Sequence, residues 1–179
     1  MMVPLLAWAM LATLTYFDAY RAEAISNNAG LTIADMFSRE TDYITPDYMD
    51  GALGLLKFLT LADDTPQLRV TVVRWIAPDP VNTPLVGDYH VVWSQRRGTD
   101  SAILPLDTLE LRKNFLGQIP IMSHNERGII VETWTDHTPP YSVGLNDMTM
   151  NTFTVIRPRF ASQLCWNPTP SLGSVTAIC

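Results

Sequence analysis

An α+β fold, with a long N-terminal membrane-anchoring helix packed on a mainly antiparallel β-sheet, is what these 179 residues predict. Three observations lead there. An uncharged apolar run at the start passes without a break into residues at helical spacing. After Pro66 the apolar period changes to two, and most of the thirteen prolines fall beyond residue 45, where they disfavour a long helical bundle. The length suits one ordinary domain with its own core, and a hydrophobic share of 47% argues against wholesale disorder. Eighteen acidic against twelve basic side chains leave a net charge of −6, which argues against nucleic acid as a partner, because phosphate contacts need a basic face.

The run Met1 to Phe17 carries no charge and ends at Asp18. As a helix it extends about 25 Å at ~1.5 Å per residue, a marginal span of a hydrocarbon core about 30 Å thick. Pro4, Leu5, Leu6, Trp8, Met10, Leu11, Leu14 and Phe17 are its anchor residues. Tyr16, Tyr20 and Arg21 stand where an interfacial belt falls. A cleaved signal fits less well, for want of a basic start and a good small-x-small exit at Ala22-Glu23-Ala24. A buried core helix fits less well too, because the apolar residues cover every face. An uncleaved anchor is the favoured reading, with residues 1–21 as the transmembrane segment and 22–179 as the α+β domain.

The helix is expected to continue to Arg39. Ala22, Ile25, Ala29, Ile33, Met36 and Phe37 follow helical spacing, opposite Arg21, Glu23, Asn27, Asn28, Asp35 and Arg39. Gly30 weakens it by about 1 kcal/mol relative to Ala and is a candidate bend. A second helix opens with Thr45 as N-cap, Pro46 at the first position and Asp47 in the first turn. Tyr48, Met49, Ala52, Leu55, Leu56 and Leu59 form its apolar face, and Gly51 and Gly54 make it depend on packing.

Leu68, Val70 and Val72 alternate with Arg69, Thr71 and Val73 in a first strand that ends at Trp75. Tyr89, Val91 and Trp93 alternate with His90, Val92 and Ser94 in a second, closed by Arg96-Arg97-Gly98. Leu106 to Leu116 reads as a short helix, and Asn125 to Gly128 as a turn. Ile129 to Trp134 is a third strand. Thr152 to Ile156, extending toward Phe160, is a fourth, with Pro158 marking an edge or an end. One sheet face is expected under helix and the other partly solvated.

Catalytic, metal and cofactor sites are not expected. His90, His124 and His137 have no ligand partner at metal-binding spacing, and no phosphate loop, nucleophile elbow or cysteine–histidine pattern occurs. Asp42, Asp47 and Asp63-Asp64 lack the spacing of a calcium loop and read as solvated turns. Arg96-Arg97 offer either a grip on an anionic partner or a polar hairpin end. Cys165 and Cys179 suit a small disulfide loop better than a zinc site, which needs about four ligands; two reduced thiols in a frayed tail are the alternative.

The order of elements resembles a pilin, and more specifically the TadE/TadG-like pseudopilins of the bacterial tight-adherence (Tad/Flp) pilus machinery. The resemblance rests on Val3-Pro4-Leu5-Leu6 running into Tyr16-Phe17-Asp18-Ala19-Tyr20-Arg21, and on the segment Thr32 to Thr41. Tyr89 to Ser94 and Arg157-Pro158-Arg159-Phe160 before Cys165 also fit. A basic leader, a prepilin-peptidase site and an early acidic residue, which pilin-type precursors share, are not matched here, so no processing residue is carried over. The resemblance implies a pilin-like fold in a single-span bacterial inner-membrane protein with a periplasmic C-terminal domain. It implies a non-enzymatic role in Tad pilus biogenesis or initiation. Its partners would be membrane lipid and other pilins or inner-membrane proteins, met through the N-terminal helix, and its two cysteines would be oxidised in that compartment. The alternative from another class is a single-span accessory subunit that docks on a larger inner-membrane complex and caps it with a soluble domain.

Overall fold

A computed structural model describes residues 2–62, 64–83, 85–141 and 143–179. Its elements are the helix α1 (Met2–Arg39), the helix α2 (Pro46–Thr60), the strands β1 (Gln67–Ile76) and β2 (Asp88–Arg97), the helix α3 (Thr108–Asn114), the strands β3 (Arg127–His137) and β4 (Met148–Ile156), and a 3₁₀ segment, Pro170–Thr176. The four strands form one antiparallel sheet in the order β2-β1-β3-β4. The predicted α+β layout, a long N-terminal helix on an antiparallel sheet, is what the chain adopts.

α1 runs unbroken from the apolar run into the domain. Ala29, Ile33 and Phe37 from the predicted stripe are buried, joined by Ala34, in a core with Met49, Ala52 and Leu56 of α2. Leu68, Val70, Val72, Ile129 and Val131 of the sheet complete that layer. α2 opens as expected: the Thr45 side chain accepts from the Tyr48 N–H at 3.2 Å, and Pro46 takes the first turn. Gly51 and Gly54 have open space where a Cβ would stand, so they cost helix propensity without serving a contact.

Gly30 is not spent on a bend. A Cβ there would stand 2.6 Å from Oγ1 of Thr152, whose hydroxyl is already paired with that of Thr133 at 2.7 Å. The glycine lets α1 lie directly on β3 and β4.

Two expectations about the sheet need correction. Tyr89, Val91 and Trp93 do not share a face. Val72 pairs with Trp93 but Val73 pairs with Val91, so Val92 is an extra residue in β2. This β-bulge sends Trp93 into the helix-covered core, while Tyr89 and Val91 pack on the opposite side. That opposite side is also less solvated than expected. The connection 98–126, with α3 inside it, folds over it and builds a second core of Val73, Trp75, Tyr89, Leu106, Leu111, Ile119, Met122 and Ile130. α3 is shorter than the predicted 106–116 because Asp107 caps it, accepting from the Glu110 N–H at 2.8 Å. β4 is an edge strand and stops at Ile156, short of Pro158.

Cys165 and Cys179 have their sulfurs at bonding distance, 2.17 Å, and close the tail into a loop rather than leaving it frayed. The loop is laced to the body. Trp166 and Ile178 exchange backbone hydrogen bonds, Ile44 donates to the Cys165 carbonyl at 2.8 Å, and the Trp93 indole donates to Leu164 at 2.7 Å.

Two outcomes are expected. Gly30→Ala, a change that stabilises most helices, should destabilise this one by roughly 1–3 kcal/mol through overpacking, and Thr152→Ala should restore part of the loss in a double-mutant cycle; denaturant titration of the four proteins reads it. Cys179→Ser should lower stability by about 3 kcal/mol, the scale for a loop of this size, with thermal unfolding in the presence and absence of reductant as the check.

Candidate functional site: the bare helix and its joint with the head

The largest surface that the protein leaves unsatisfied is its own N-terminal helix. Pro4, Leu5, Leu6, Trp8, Met10, Leu11, Leu14 and Phe17, the predicted anchor residues, are all exposed, Phe17 at 70%. Only 11% of the most apolar stretch of α1 is buried, and the helix is long and apolar enough to cross a membrane. The hydroxyl of Thr13 donates to the Ala9 carbonyl and that of Thr15 to the Leu11 carbonyl, at 2.8 and 2.9 Å. Two polar groups in the run are thereby satisfied within the helix, as an apolar surrounding requires.

Burial begins abruptly at Thr15, which is 0% exposed. The head therefore reaches α1 seven residues before the boundary at 21/22 drawn from the sequence, and residues 15–21 belong to both parts. Here Tyr16, Ala19 and Tyr20 meet Leu145, Met148 and Met150 of the β3–β4 hairpin around a cleft of about 300 Å³. Apolar surface thus continues from the helix onto the lower edge of the head.

Beside it lies a polar joint. Asp18, the first charge after the run, places its Oδ2 3.5 Å from Nε2 of His137 at the end of β3. A second cleft of about 160 Å³ is bounded by Ala22, by Thr60 and Leu61 where α2 ends, and by Thr135 to Thr138. Thr135 Oγ1 and His137 Nε2 are buried here without a hydrogen-bond partner, as is Ser26 Oγ one turn beyond Ala22 on α1. The far end of the α1–α2 pair is locked differently. The Glu40 carboxylate accepts from the N–H groups of Thr41 and Asp42 at 2.9 and 3.1 Å. The Asp42 N–H foremost, with Thr41 and the Tyr48 hydroxyl, holds that carboxyl below its usual range against the effect of burial. Burial foremost, and then the Glu40 charge, pushes the Tyr48 phenol up.

The histidines are scattered. His124 accepts from the Ala77 N–H at 3.1 Å, His90 lies 3.4 Å from an Arg112 nitrogen, and His137 serves the joint. Among the described residues no three His, Cys, Asp or Glu side chains gather to hold a metal, and Asp63 lies outside those residues. Arg97 is bound to Asp50 of α2 and Arg96 to the Asp100 carbonyl, so both guanidinium groups already hold acceptors. The Asp18–His137 contact and the Leu145 cleft were invisible beforehand, because their parts come together only through the packing of α1 on β3 and β4.

Arg69 and Glu132 are the most deeply buried ion pair, joined at 2.6 and 2.7 Å, with Arg69 also donating to the Leu104 carbonyl at 2.9 Å and lying 5.3 Å from the Trp134 ring centre. All three Arg69 nitrogens and both Glu132 oxygens are engaged, which marks a structural cluster. Glu132→Ala should cost about 3–5 kcal/mol by leaving the guanidinium buried and unpaired, whereas replacing both residues by apolar ones of similar volume should cost far less; equilibrium unfolding separates the two. No family model matches this chain, and no curated protein or solved structure does either.

Proposed function

We propose that this chain is a non-enzymatic, membrane-anchored assembly protein of the TadE/TadG-like pseudopilin kind, acting in the biogenesis or initiation of a Tad pilus. One observation carries the reading: a single unbroken helix whose upper half is core to a folded head and whose lower half is apolar on every side and bare. Such a helix is stable only where something other than water covers it. Lipid does so, and so do like helices in a bundle. Between those two surroundings the apolar area stays covered, so transfer from bilayer to assembly carries little hydrophobic cost and is decided by packing. The protein then sits by one span in a bacterial inner membrane with its head in the periplasm, where the Cys165–Cys179 bond is maintained. Its partners are lipid and the helices of other pilins or inner-membrane proteins.

Ala9 lies mid-run and exposed. Ala9→Glu should abolish recovery in the membrane fraction, because an ionised carboxyl within the bilayer costs several kcal/mol, while the head retains its fold. Membrane recovery at the wild-type level would remove the anchor. Purification of the wild type in mild detergent, with co-purifying proteins identified by mass spectrometry, should return pilus components; a stoichiometric complex of another kind would assign the accessory-subunit reading instead.

A further inference from the structure

The arginines of this acidic protein are mostly spoken for. Arg39 and Arg159 share Asp35, and Arg69, Arg97, Arg112 and Arg157 bind Glu132, Asp50, Asp88 and Glu126. Arg74 and Arg127 are different. They stand directly opposite each other on β1 and β3, on the same face as Val72 and Ile129, and His90 flanks Arg74 from β2. Arg74 Nε and Arg127 Nη1 are buried and make no hydrogen bond, and neither residue has an ion-pair partner among the described residues.

The nearby charges do not relieve them. Glu126 is occupied on one oxygen by Arg157 at 2.8 Å and on the other by the Ser123 N–H at 2.8 Å. Asp88 is held by Arg112 at 2.8 Å, and Arg112 keeps a buried, unpartnered Nε of its own. Like charges directly opposite on neighbouring strands repel, and unpartnered buried guanidinium nitrogens carry a desolvation cost. Burial, and then the Arg74 charge, pull the Arg127 pKa down accordingly. A guanidinium does not shed its proton near neutral pH, and both residues are partly exposed, so an acceptor approaching from outside would relieve the pair.

We propose that Arg74 and Arg127 form a binding site for an oxyanion, either a phosphate or a carboxylate. Two planar forks side by side suit an acceptor that takes several N–H bonds at once. The site's place narrows the source. β3 begins at Arg127 and ends at His137 beside Asp18, so the site lies about 33 Å along the strand from the joint with the bare helix, at ~3.3 Å per residue. Headgroups of a bilayer met by that helix are out of reach. A free phosphate, or a carboxylate on a partner protein, is not. The inference is independent of the pilus reading.

The test uses the full chain in dodecyl maltoside, with thermal unfolding followed in sodium phosphate, in N-acetylglutamate amide and in sodium chloride at equal ionic strength. One of the two oxyanions should raise the midpoint by several degrees over chloride with saturable dependence, and Arg127→Gln and Arg74→Gln should each weaken the apparent affinity at least tenfold. Arg127→Lys, which keeps the charge without the fork, should weaken it as well and serves if a glutamine variant does not fold. A response to phosphate alone assigns a phosphate site, and a response to the carboxylate assigns a docking point for acidic side chains. No difference from chloride, or an equal shift in wild type and variants, overturns the proposal.

Discussion

The contact of α1 with the β3–β4 half of the sheet is the constraint on which the rest depends. At Gly30 the helix backbone lies against the Thr152 hydroxyl, and one turn further Ile33 and Ala34, then Phe37 a turn beyond them, enter the core. Because α1 is a single helix, fixing its upper half fixes the direction of the lower half too. The bare apolar rod is held in register with the head, and the joint at Thr15 to Ala22 is where the two surroundings meet. A flexible linker there would pass no orientation from one to the other.

The head itself is built by covering the sheet twice. Antiparallel sheets of this size commonly leave one face wet. Here the bulge at Val92 divides the aromatic residues of β2 between the faces, Trp93 to one and Tyr89 to the other, and each anchors a separate core. Trp93 reaches the C-terminal disulfide loop through Leu164, and Tyr89 reaches the connection 98–126 through a hydrogen bond to the Pro120 carbonyl at 2.6 Å. One inserted residue therefore commits β2 to holding two irregular segments, which in turn protect an edge strand.

What could be read beforehand was what local rules govern. The proline-free stretch to Arg39, the Thr45-Pro46 start of α2 and the period-two run of β1 stand where spacing and capping put them, and β3 extends the expected 129–134 at both ends. The bulge could not be read, because Val91, Val92 and Trp93 are apolar in a row and only pairing with β1 reveals which residue is extra. Gly30 looked like a weak point in a helix, since its partner Thr152 is brought to it only by the tertiary fold. The bare helix was legible because its composition alone excludes water. Its joint was not, because Asp18 and His137 meet only across the fold.

The treatment of buried arginine distinguishes the two ends of the sheet. Arg69 shows how this fold accommodates a guanidinium for stability: a two-pronged carboxylate, a carbonyl and an indole ring, so that each nitrogen has an acceptor. Arg74 and Arg127 sit half-buried on the opposite face of the sheet, and their buried Nε and Nη1 have no such provision, in a chain whose acidic residues outnumber its basic ones. Stability alone would favour an apolar or paired residue at those places. Two arginines with unpartnered nitrogens therefore stand at the end of β3 opposite its joint with the apolar helix, where the fold gains nothing from their charge.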